Sequence, residues 1–163
     1  MRSSSDQRLA ELYSAHAAGL RRLAYVMTED VHEAEDLLQE AFVRLGGRLL
    51  TLRDPDRAAG YLHRTVVNLA RDHGRRLNRE SELRRRLEPS SVSSPADPHA
   101  SDDLWSALMQ LPVRHRAVLY LRYFMDMSEE QAAELLGCSA SAVKSLTHRA
   151  STSLRKSIGG QRS

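Results

Sequence analysis

Residues 88–101, EPSSVSSPADPHAS, constrain this chain more than any other stretch. They hold three prolines, five serines and a single sizeable apolar side chain, Val92. Such a segment cannot bury enough surface to offset the entropy of ordering its backbone, so it reads as a flexible linker. Whatever folds must therefore fold on either side of it, and a 163-residue chain leaves two small units rather than one large catalytic architecture.

Both flanks carry helical periodicity, and neither shows the two-residue alternation of a strand. Leu9, Leu12, Tyr13, His16, Leu20, Leu23, Ala24 and Met27 recur at steps of three and four, which predicts an amphipathic helix over 6–27. A second helix is expected over 29–45, with Val31, Ala34, Leu38, Ala41, Phe42 and Leu45 inward. Gly46-Gly47 is read as its end, through positive φ. After a loop at 46–53, Asp54-Pro55 has the form of a capped helix start, and Ala59, Leu62, Val66, Leu69, Ala70, His73 and Leu77 continue one stripe. Beyond the linker, Leu104, Trp105, Leu108 and Leu111 mark one helix. Pro112 opens another that reaches about Phe124, and two shorter ones follow. Trp105 is read as a core anchor of the second unit.

The segment SEEQAAELLG followed by CSASAVKSLTHRASTSLR, residues 128–155, has helix-turn-helix spacing. Ser128 suits an N-cap, Ala132 and Ala133 are small where a second helix must cross, Leu136 points inward and Gly137 supplies the turn. Ser139 then caps a helix whose Val143, Leu146 and Ala150 face the core. Ser141, Lys144, Ser145, His148 and Arg149 are left outward. Short hydrogen-bonding side chains near a helix N-terminus, with cations behind them, suit the reading of a DNA major groove. The competing reading is a helical hairpin with a solvated polar face.

Charge is unevenly placed. Residues 6–40 carry three Arg against eight Asp and Glu, whereas residues 41–87 carry twelve Arg against five. From Leu104 onward there are eight basic and four acidic residues. The stretch EDVHEAEDLLQE, residues 29–40, has six acids and no Lys or Arg, with Glu33, Asp36 and Glu40 on one helical face. It reads as a protein-docking surface better than as a solvated face or a divalent-metal site, since no glycine-rich phosphate loop or second carboxylate cluster accompanies it. The third helix offers Arg64, Asn68, Arg71, Asp72, Arg75 and Arg76 outside its stripe. There the cations suit phosphates, and Asn68 suits the edge of an unstacked base. Arginine outnumbers lysine 22 to 2. That favours bidentate phosphate contacts, but a GC-rich coding sequence gives the same usage.

Several classes are disfavoured. Cys138, the single cysteine, has no intramolecular disulfide partner and is read as turn packing. The histidines are scattered without metal-ligand spacing, so no metal or other cofactor is expected. No run approaches the roughly 18 apolar residues of a membrane span, and MRSSSDQR lacks the apolar core of a signal peptide. The expectation is a cytoplasmic protein without membrane insertion.

With those residues in view, the chain resembles the extracytoplasmic-function (ECF) sigma factors, the group IV, two-domain class of bacterial RNA polymerase specificity subunits, and most closely their actinobacterial members. The resemblance rests on AEDLLQEAFVRL (34–45), YLHRTVVNLARDHGRR (61–76) and LRYFMDMSEEQAAELLGCSASAVKSLTHRASTSLR (121–155), in that order. It implies an all-α fold of two small helical domains joined by a flexible linker, the C-terminal one a strandless, winged-helix-like helix-turn-helix. Sigma region 2 would span 1–78, a linker 79–103, sigma region 4 104–158 and a disordered tail 159–163.

The resemblance also implies roles. Asp36, Leu37, Gln39 and Glu40 would dock on the clamp helices of core RNA polymerase, whose flap would be a further contact. The loop Gly46 to Arg53 and the helix bearing Asn68 would capture the melted −10 strand, with Arg64, Arg71, Arg75 and Arg76 on its backbone. Arg122, Ser141, Lys144, Ser145, His148 and Arg149 would contact the −35 duplex. The linker would thread toward the polymerase active-site channel. The free protein would be a monomer held by an anti-sigma factor, and would join the nucleoid only within holoenzyme. No catalysis of its own is implied.

Two positions depart from the family pattern. Tyr61 stands where many members have Trp, and Leu146-Thr147 follows Lys144-Ser145 where Arg-Leu is commoner, which leaves the −35 sequence open. Two other readings remain: a dimeric helix-turn-helix repressor or activator, and a metal-dependent nuclease using Glu33, Asp36 and Glu40.

Overall fold

The computed structural model describes residues 3–87 and 103–161. Among the described residues there are seven α-helices, one π-helical turn and no strand. The central part of the expected linker, residues 88–102, lies outside them.

The N-terminal unit packs α1 (Ser4–Thr28), α2 (Val31–Gly46) and α3 (Pro55–Leu87) on one another. Ser3 and Asp6 begin α1 with a reciprocal capping box: the Asp6 N–H donates to Ser3 Oγ at 3.2 Å and the Ser3 N–H to Asp6 Oδ2 at 3.4 Å. Asp30 caps α2, accepting from the N–H groups of His32 and Glu33. Asp54 accepts from the Asp56 N–H at 3.0 Å, so Pro55 occupies the first helical position, where its missing N–H costs nothing. The inward stripes meet in a core of Leu20, Leu23, Val26, Leu38, Leu45, Leu62, Val66 and Val67, each with less than 2% of its surface exposed.

The C-terminal unit contains α4 (Asp103–Met109), α5 (Val113–Leu119), the π turn Tyr120–Phe124, α6 (Glu129–Leu136) and α7 (Ala140–Gln161). The π turn is closed by the Met125 N–H donating to the Tyr120 carbonyl at 3.0 Å, and its Tyr120 and Phe124 rings stack at 5.3 Å. Val118, Leu121, Ala132, Val143 and Ala150 are completely buried.

Several expectations need correction. Gly46 ends α2 and Gly47 has φ −71°, so neither glycine uses the left-handed region; the carbonyls of Val43 and Leu45 are taken by a tightening last turn instead. The left-handed cap sits one junction earlier, at Glu29, with φ 57°. Val31 is 51% exposed and Leu77 46% exposed, while Ala58 rather than Ala59 is completely buried. Helix α3 continues through 79–87, residues expected to belong to the linker, and α7 is a long helix rather than a short one, reaching Gln161 inside the expected tail. The two domains are also packed together. Buried residues of both units form one continuous apolar cluster, with α5 and the π turn against α1 and α6 against α3.

Candidate nucleic-acid interface

Each helix of the helix-turn-helix is set by its own cap. Ser128 and Gln131 form a capping box at α6, with 3.1 Å from the Gln131 N–H to Ser128 Oγ and 2.9 Å from the Ser128 N–H to Gln131 Oε1. Gly137 ends α6 at φ 66°, a conformation that L side chains adopt at a cost. Ser139 Oγ accepts from the Ala142 N–H at 3.0 Å and starts α7. Val143, Leu146 and Ala150 then fall inside, and Ser141, Lys144, Ser145, His148 and Arg149 are all exposed. The inward and outward faces match the expected phase. Arg122 is different: half-buried, it donates to the Met127 carbonyl and braces the turn between the π segment and α6.

On α3 the candidate residues divide. Asn68, Arg75 and Arg76 are exposed, with Arg75 3.7 Å from Asp72. Arg64 is exposed but paired with Glu134 of α6 at 3.0 Å. Arg71 donates to the Leu136 carbonyl at the α6 C-terminus, and its guanidinium lies against Gly137, where an added Cβ would come within 3.4 Å of it. A carbonyl left free at a helix C-terminus carries partial negative charge, so a guanidinium is a favourable partner. The C-terminal unit thus occupies part of the cationic face of α3.

The acidic face is likewise partly internal. Asp36, Gln39 and Glu40 are exposed, Glu40 bonding Arg44 at 2.9 Å. Glu33 reaches His73 on α3 at 3.2 Å, and Glu35 accepts from Arg21 on α1 at 2.6 Å, a bond that lowers the Glu35 pKa. Leu37 is 5% exposed, so it belongs to the core and its side chain has no place on the docking surface assigned to it.

Helical periodicity does not reveal the group that joins the units. Arg116 lies within the inward phase of α5 and is 3% exposed. It donates to the Val26 carbonyl at 2.9 Å, to the Met109 and Leu111 carbonyls at 3.0 and 3.2 Å, and to the Glu29 carboxylate. Burial lowers its pKa and Glu29 works against that shift. Three carbonyls and a carboxylate around a fixed guanidinium satisfy a charge that burial alone would make costly. Nearby, the Tyr120 hydroxyl donates to the Gly19 carbonyl at 3.0 Å, and Trp105, expected to anchor the second unit, stacks on Tyr25 of the first at 6.2 Å. A groove of about 740 Å³ runs beside this junction, lined by Arg71, His73, Arg75, Arg114 and Arg116 among others.

One cationic helical face lies on a helix-turn-helix and another beside an acidic helix, the charge pattern of the class of proteins that bind nucleic acid. Known proteins make the class specific. Residues 12–80 match the Sigma-70 region 2 family and residues 101–154 the Sigma-70 region 4 family. The RNA polymerase sigma-E factor of Streptomyces coelicolor is 35% identical over 140 residues, covering 85% of this chain and 79% of that protein. The ECF RNA polymerase sigma factor SigE of Mycolicibacterium smegmatis is 33% identical, covering 89% of this chain and 59% of its own. Among solved structures, the sigma factor RpoE of Bartonella quintana in complex with the anti-sigma factor NepR superposes with a TM-score of 0.71 at 22% identity, covering 94% of this chain and 96% of that one. CnrH in complex with the cytosolic domain of CnrY gives 0.65 at 25% identity, covering 95% and 90%. The chain belongs to the ECF sigma factors of bacterial RNA polymerase.

Proposed function

We propose that this sigma factor, without catalysis of its own, works in the cytoplasm by docking Asp36, Gln39 and Glu40 on the clamp helices of core polymerase and reading promoter DNA with α3 and α7. In this reading α1 to α3 form region 2 and α4 to α7 form region 4, with the linker between Leu87 and Asp103. Asn68, Arg75 and Arg76 meet the melted −10 strand, and Arg64 and Arg71 join them once α6 releases them. Ser141, Lys144, Ser145, His148 and Arg149 meet the −35 duplex, with Arg122 shaping the turn that presents them. The flap is a second polymerase contact, and an anti-sigma factor is the restraining partner. No helix among the described residues is long and apolar enough to cross a membrane.

The observation that carries the reading is the face of α7, where every polar candidate is exposed while Val143, Leu146 and Ala150 are buried. Because Arg64 and Arg71 are engaged by α6, the two DNA faces are expected to separate when the chain joins polymerase. Run-off transcription with core polymerase, on DNA from upstream of the chain's own gene, tests the proposal. Defined transcripts that require the protein are expected. No polymerase binding, together with tight duplex binding by the protein alone, would replace this reading with a dimeric repressor.

A further inference from the structure

The connection between α2 and α3 is a turn held from two sides. From within, the Arg48 carbonyl accepts from the Thr51 N–H at 3.0 Å, the Leu52 N–H at 2.9 Å and Thr51 Oγ1 at 2.9 Å. From outside, Arg8 near the start of α1, 41 residues away from Leu49, donates Nη1 to the Leu49 carbonyl at 2.9 Å and Nη2 to the Leu52 carbonyl. Leu49, 4% exposed, plugs the turn into the core, and Leu50 beside it stands 78% exposed. The tip is flanked by Arg53, which donates to the Leu50 carbonyl at 3.4 Å, and by Arg48, whose guanidinium lies 5.6 Å from the centre of the Tyr61 ring.

A lone exposed leucine needs no explanation by itself. Here, however, it rises from a short turn locked by a side chain remote in sequence, between two arginines. We infer that Arg8 is a positioning residue for promoter melting: its two-toothed grip on Leu49 and Leu52 holds the turn so that Leu50 presents an apolar face to an unstacked base of the single strand. Arg48 and Arg53 then lie where flanking phosphates would pass. Apolar side chains inserted at base steps and cations along the backbone are a general solution to holding a distorted or single strand. A turn ordered before binding avoids the entropy of ordering it afterwards. Only a planar fork spans both carbonyls, which lysine cannot do. The inference rests on the promoter-reading role proposed above and names the residue that sets the geometry of that site.

The test uses the full chain assembled with core polymerase and a single-stranded oligonucleotide of the −10 sequence found by run-off transcription, carrying 2-aminopurine at successive positions. Arg8→Ala is expected to weaken oligonucleotide binding about tenfold, the scale of one charge-assisted hydrogen bond, and to quench the aminopurine response. Amide exchange over residues 48–53 is expected to quicken. Arg8→Lys should fall between, and binding to core polymerase and to −35 duplex should stay unchanged. Leu50→Ser, at an exposed position that folding does not need, should lose the aminopurine response while amide exchange stays slow. Full oligonucleotide affinity in Arg8→Ala, or loss of polymerase binding along with it, would overturn the positioning role. Failure of the unsubstituted holoenzyme to bind the single strand would instead remove the promoter-reading role beneath it.

Discussion

The two helices proposed to face DNA are in opposite conditions. On α7, Lys144, Ser145, His148 and Arg149 are exposed, and among the described residues neither Lys144 nor Arg149 is in an ion pair. On α3, Arg64 and Arg71 are engaged by Glu134 and by the Leu136 carbonyl, both on the helix that supports the helix-turn-helix. The packed arrangement therefore leaves the polar face of α7 free and covers part of the cationic face of α3.

The largest expected effect comes from breaking the junction that creates this difference. Arg116→Ala should destabilise the closed chain by about 3–5 kcal/mol, because three carbonyls and Glu29 lose a buried cation, and small-angle scattering should show the units moving apart. Urea unfolding gives the energetic part. An unchanged scattering profile would mean that the apolar contact alone holds the units.

Acid should strain the N-terminal unit next. Burial, assisted by the facing His16 ring at 6.1 Å, lowers the His63 pKa to about 4. Because the folded value lies below that of the unfolded chain, protons favour unfolding: stability is full above pH ~6.5 and declines as pH falls toward about 4. The loss across that window is on the order of 3 kcal/mol. His63→Leu should flatten that part of the pH profile, as measured by denaturant unfolding at pH 7 and 4.5.

Lys144→Ala with Arg149→Ala should cost about 2 kcal/mol of −35 duplex binding, roughly thirtyfold, without affecting polymerase affinity. A matching loss of polymerase affinity would mean that α7 is not a dedicated DNA face. Smallest of all, Glu134→Ala removes an exposed ion pair worth less than about 1 kcal/mol, so single-strand binding through Arg64 should rise by no more than a few-fold. Binding titrations at low and high salt read both effects.

What was legible in the sequence is what local periodicity encodes. The helix-turn-helix appeared with its caps and both faces in phase, since Ser128, Gly137 and Ser139 act on neighbours within four residues. The end of α2 was misjudged because a glycine permits a left-handed cap without requiring one, while Glu29 takes that conformation with no compositional sign. Leu37 was assigned to a surface by motif, although its helical phase puts it in the core. The packing of the units was invisible for a different reason. Arg116 and Tyr120 bond carbonyls 90 and 101 residues away, and a carbonyl has no side-chain signature; Arg8, 41 residues from Leu49, is hidden in the same way within the N-terminal unit.

Gly137 carries two obligations at once. It turns the chain between α6 and α7 at positive φ, and it lies against the Arg71 guanidinium of α3, which an added Cβ would meet at 3.4 Å. A side chain at this position would meet the cost of the left-handed backbone first, because its nearest neighbour is the far end of a flexible guanidinium. The turn that sets the helix-turn-helix is thus also the place where α3 meets the C-terminal unit, so one residue without a side chain belongs to both.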